Sequence, residues 1–222
     1  MNSEQEWNNN KNRFCSLWIS QQVDPEDTTH VESVWQIISD KYAEPSRHYH
    51  TKTHILDCLK QLDSAKHQVP DFKAVELATW FHDAVYDPTA KDNEAQSVVL
   101  FKKLADGILP EELIQKVSDL IIATLHIDQP ADLDQAFMLD IDLSSIAGTW
   151  QRFTRDNSDL RKEVKHLDCK EYCQKKIGFF KMLLDKERIF FTDFFHEACE
   201  QKARLNMENF IRFQALTEKC NC

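Results

Sequence analysis

Apolar residues recur along most of the chain at intervals of three and four, the spacing that gathers them on one face of a helix. Val31, Val34, Trp35, Ile38 and Tyr42 follow it after Thr28 and Thr29, two candidate N-caps, and Pro45 then interrupts the pattern. An irregular segment from Glu44 to Tyr49 leads to Ile55, Leu56, Leu59 and Leu62, which place His54 at the start of the next helix, with His50 one turn earlier. Beyond Pro70, the stretch Val75, Leu77, Ala78, Trp80, Phe81 and Ala84 is almost wholly apolar and predicts a central buried helix ending in His82-Asp83. A loop from Tyr86 to Asn93 carries Pro88 and several acids. Helices are then expected from about Glu94 to Ala105 and from Pro110 to about Leu125. Asp132 caps another, containing Leu139, Asp140 and Asp142, that passes through Ile146 towards Gly148. The last third, Trp150 to Phe213, is helical and rich in Phe.

Composition narrows this to an all-α fold. Only 3 Gly and 6 Pro occur in 222 residues, too few for a sheet protein that needs many tight hairpins. Hydrophobic residues at 42% and charged residues at 29% suit one globular domain over residues 1–222. The expected division is a chemical core over about 28–150 and a helical extension over about 150–222. A net charge of −10 repels phosphate backbones, which excludes nucleic-acid polymers as expected partners but leaves room for a small anion beside a bound cation. The polar start, Met1 to Asn12, has no signal-peptide pattern, no run of about 18 apolar residues predicts a membrane span, and the 7 Cys form no loop framework. A cytoplasmic chain with reduced thiols is the expectation, and a homodimer is compatible with its aromatic last third.

Chemistry enters with His82-Asp83, because an aspartate ending so apolar a helix needs a compensating partner. A hydrogen bond or helix cap would satisfy it, and so would a cation that also recruits the imidazole. His54 opens the preceding helix, and Asp140 and Asp142 bring acids into another apolar segment. Two imidazoles and carboxylates converging from successive helices make an N/O ligand set for a divalent transition metal: Mn, Fe, Co, Ni or Zn. Asp140 and Asp142 point about 200° apart on a regular helix, so only one faces a given ion.

The segments Arg47-His48-Tyr49-His50-Thr51-Lys52-Thr53-His54-Ile55 and Trp80-Phe81-His82-Asp83-Ala84-Val85-Tyr86-Asp87, with a later Asp140-Ile141-Asp142-Leu143, resemble the HD-domain superfamily. The first two look like its predicted metal-dependent phosphohydrolase branch. The resemblance covers roughly Arg47 to Gly148 and implies that His54, His82, Asp83 and Asp142 hold the metal, Asp142 being preferred to Asp140. It further implies hydrolysis of a small phosphate ester, a nucleotide among the candidates. The run Asp92 to Ser97 also resembles this branch, with Glu94 as a proton-handling group and Asp92 as a plain N-cap in the simpler reading.

Asp87, four residues after Asp83, is placed to take a proton from water on the metal, and reads equally as a loop cap. Arg47 and Lys52 flank the first motif and are candidates to meet phosphate oxygens. His50 is expected at the entrance or behind the ligands. His126 is expected to complement a helix C-terminus, to stand behind the ligands or beside the substrate, or to serve a second metal as extra histidines do in some relatives. Two other functions remain in play. A di-iron oxygenase of the HD fold would recruit both His50 and His126, and a non-catalytic metal-stabilised binding domain would keep the metal without turnover.

Overall fold

A computed structural model describes residues 3–217. Among them are ten α-helices and one 3₁₀ turn, and no strand. In chain order the helices are α1 Ser3–Gln21, α2 Val31–Lys41, α3 Lys52–Ser64, α4 Phe72–Phe81, α5 Asn93–Ala105, α6 Glu111–Ala123, α7 Leu133–Leu143, α8 Trp150–Glu163, α9 Cys169–Leu184 and α10 Asp193–Thr217, with the 3₁₀ turn Ser144–Ala147 after α7. The expected all-α class is what the chain adopts.

The nearly all-apolar α4 is the axis of the bundle, and every residue from Ala74 to Phe81 is buried. It packs against α1, α3, α5, α6 and α7. Its polar members are answered in place. Glu76 receives Arg13 of α1 at 2.7 Å, and Thr79 donates to Val75 O. Buried residues from α1 to α10 form one continuous core, including Phe153, Phe180 and Phe195 of the last third.

Three local readings change. The N-terminal stretch, read as merely polar, forms α1, because Trp7, Phe14 and Trp18 align on one face and are fully buried. Trp7 stacks on Trp35 with centroids 5.1 Å apart and meets Trp80 edge-on at 5.4 Å, so a helix outside the expected core of about 28–150 packs directly on the central one. Thr28 and Thr29 do not cap α2, since His30 holds the N-cap position without a side-chain bond. The α7 helix stops at Leu143 and tightens into the 3₁₀ turn, which α10 covers. Cys15, Cys58 and Cys199 are free, whereas Cys173 is disulfide-bonded and departs from the expectation of reduced thiols throughout. No helix among the described residues is long and apolar enough to cross a membrane.

Candidate metal centre

Three helices deliver four side chains to one point. Thr51 caps α3 by accepting from Thr53 N, which starts that helix in time to put His54 in its first turn, inside the bundle. His82 is the C-cap of α4, and Asp83 follows it. Asp132 caps α7 by accepting from Gln135 N, and the helix then carries Asp142 inwards. The Nε2 atoms of His54 and His82 lie 3.3 Å apart. Asp83 Oδ2 is 3.3 Å from the first and 3.1 Å from the second, and Asp142 Oδ1 is 3.3 and 3.5 Å from them. His54, His82 and Asp142 have ligand atoms all within 4.8 Å of one another, a grouping able to hold a metal ion. Donors about 2.0–2.2 Å from a shared ion are separated by about 3.0–3.5 Å at neighbouring positions, so the spacing matches.

The chemistry of the donors matches too. His82 Nδ1 lies 3.0 Å from Thr79 O, and a carbonyl only accepts, so Nδ1 carries the proton. That leaves the Nε2 lone pair of the neutral ring turned into the cluster, the usual arrangement of a ligating histidine. Two neutral imidazoles and two carboxylates carry the charge that one divalent cation balances. Without a cation, protons do that work. Burial disfavours charge on His54, but Cys58, Tyr49, Asp142 and Asp83 outweigh it and hold its pKa well above the ordinary value. Burial is likewise outweighed at His82 by Asp83 and Asp142. Conversely, burial would raise the two carboxyls, yet the surrounding histidines hold Asp83 and Asp142 well below the usual range.

Neighbouring groups fix this arrangement. His126 Nε2 donates to Asp142 Oδ2 at 2.8 Å. It does so from a left-handed backbone, φ 55°, a conformation that costs a non-glycine residue about 1–2 kcal/mol. His126 thus stands just past the end of α6 and behind the candidate ligand Asp142, one of the places expected for it. His50 Nδ1 donates to Glu163 Oε2 at 2.7 Å, and its ring stacks on Tyr86 at 4.1 Å. Glu163 Oε1 also accepts from the backbone N–H groups of His48, Tyr49 and His50. These donors outweigh its burial and hold its pKa down at about 2. Glu94 is half-buried, and burial with the charges of Asp83 and Asp142 raises its pKa, so it stands within the field of the cluster.

Four expected site residues lie elsewhere in function. Arg47 is buried, donating to Glu44, His50 O, Asp83 O and Ala84 O between the rings of Tyr42 and Tyr86. With four of its five N–H groups engaged, this guanidinium positions the segment that carries Asp83. Lys52 turns outwards to Glu4 at 3.0 Å and lies over Trp7. Asp87 is exposed and caps its own loop, accepting from Thr89 N and Oγ1, so the simpler reading holds. Asp140 faces the other side of α7 and accepts from Phe191 N, Thr192 N and Thr192 Oγ1. Sequence reasoning missed Glu163, and also Cys58, whose Sγ is 3.7 Å from His54 Nε2.

Comparison with known proteins adds no relative, since no family model, no curated protein and no solved structure matches.

Proposed function

We propose that the chain is a metal-dependent phosphohydrolase acting on a small phosphate ester, as its resemblance to the HD-domain superfamily implies. The observation that supports this most is the convergence of His54, His82, Asp83 and Asp142 at 3.1–3.5 Å beside a cavity that Asp142 and His126 help to line. Two nitrogen and two oxygen donors suit Mn, Fe, Co, Ni or Zn. When bound, such an ion lowers the pKa of a water towards about 7 and polarises a phosphoryl oxygen.

The protein's own residues supply the rest. His126 orients Asp142, and Thr79 O orients His82. Glu94, with its raised pKa, takes a proton from the attacking water. As water oxygen bonds to phosphorus, the bond from phosphorus to the alcohol oxygen breaks, and Glu94 returns the proton to that leaving oxygen. Arg47 keeps Asp83 in place through its main chain. A di-iron centre would also need the ring of His126, whose Nε2 is already engaged at 2.8 Å by Asp142. One ion is the reading carried forward.

The test is elemental analysis of wild-type and His82→Ala protein together with a phosphoester turnover screen under added divalent metals. About one ion per chain in the wild type, lost with turnover in the variant, is the expected result. Unchanged metal content in His82→Ala would remove the site. Metal binding with no turnover of any ester would make the chain a binding domain. Glu94→Gln should retain the metal and lose about 10²–10⁴ in kcat.

A further inference from the structure

The cavity beside the metal centre, about 180 Å³, is lined by His50, His126 and Asp142 together with Phe153, Lys176 and Phe179. Lys176 is out of place by ordinary rules. Tyr172, Cys173, Phe180 and Leu183 are buried at three-and-four spacing along α9, and Lys176 occupies the same stripe. Its Nζ lies 4.9 Å from the Phe180 ring centre and 5.8 Å from that of Phe179. Lys176 is itself only half-buried, and that burial pushes its pKa down to about 8 with no charged or hydrogen-bonding partner among the described residues to offset it. Asp156, an acid on the same cavity, is already engaged by Arg152 at 2.6 Å. An ammonium over two aromatic rings on the metal-centre cavity, with no counter-ion among the described residues, is suited to receive an anion.

We propose that Lys176 receives the phosphoryl group of the substrate, and that the substrate is a phosphomonoester with a short carbon skeleton. The inference rests on the phosphohydrolase reading above. The size class follows from the cavity, which is smaller than the roughly 300–1,000 Å³ of sites that enclose drug-sized ligands. Phe153, Phe179 and Phe180 in its walls offer apolar surface to a short carbon chain.

Calorimetric titration of inorganic phosphate into metal-loaded protein tests this. Wild type should bind, and Lys176→Gln should weaken binding about tenfold or more, as loss of a charge-assisted contact does, with metal content unchanged. Lys176→Arg should bind more tightly than Lys176→Gln. Equal affinity in Lys176→Gln and wild type, no binding by wild type, or equal weakening by Arg and Gln would each overturn the assignment. Should Lys176→Gln not fold, phosphate should still protect Lys176 of the wild type from an amine-directed reagent, read by peptide mass spectrometry; no protection overturns it. A short-chain phosphomonoester should compete with phosphate better than a nucleoside monophosphate does, and the reverse order overturns the size class. The two readings fail separately. Phosphate bound through Lys176 without ester turnover sinks the hydrolase, whereas turnover with KM unchanged in Lys176→Gln sinks only the role of Lys176.

Discussion

Asp140 and Asp142 stand two residues apart and do unrelated work, which makes them a direct test at the scale of single side chains. Asp142→Asn should abolish metal binding measured by elemental analysis, because one carboxylate oxygen and its charge are lost from the cluster. Asp140→Asn should leave metal content intact but lower stability by about 1–3 kcal/mol in denaturant titration, since an amide cannot accept from both Phe191 and Thr192. Helical geometry showed only that the two acids cannot face one ion together, and the choice of Asp142 over Asp140 came from the resemblance to the HD pattern. What Asp140 binds was not legible in the sequence, because Phe191 lies 51 positions away and no local pattern announces the contact. Arg47 misled for a related reason. Its position beside the first histidine motif looked like a phosphate contact, while three of its four acceptors are main-chain carbonyl groups, which every residue carries and which leave no trace in a sequence. Lys176 was legible and overlooked, since its spacing to Tyr172, Cys173 and Phe180 puts a cation where the stripe is otherwise apolar.

Among the elements, α1 was the one left unread. Its asparagines and charges dilute the apolar signal, yet Trp7, Phe14 and Trp18 are each fully buried. Trp7→Ala should therefore cost about 3–5 kcal/mol of stability by thermal or denaturant unfolding, the range of an emptied aromatic core position. The central α4 was readable because an almost wholly apolar run can only be an interior helix. The end of α8 presents the opposite case, for Glu163 looks like a surface charge and instead gathers the backbone of His48, Tyr49 and His50. Its folded pKa of about 2 lies below the ordinary carboxylate value, so the stability it contributes is present at neutral pH and is lost as pH falls through about 4.5 towards 2. Glu163→Gln should lower stability at pH 7 and flatten this part of the acid limb in pH-dependent unfolding. A wild-type-like acid limb in the variant would show that the loop holds without it.

For the molecule as a whole, a metal bound only by the folded chain adds stability in proportion to the logarithm of its free concentration, about 1.4 kcal/mol per tenfold excess over Kd at 25 °C. Thermal unfolding followed across a metal titration should climb accordingly in the wild type and stay flat in His82→Ala. A chelator should return the wild type to the metal-free midpoint. The donors come from α3, the end of α4 and α7, with His54 and His82 alone 28 positions apart. No short piece of the chain brings the set together, so an ion cannot seed folding and must be captured once the three helices have docked. Its effect should consequently fall on the rate of unfolding rather than the rate of folding. Such a chain would resist unfolding for as long as the ion stays bound, and losing the ion would shorten the lifetime of the fold.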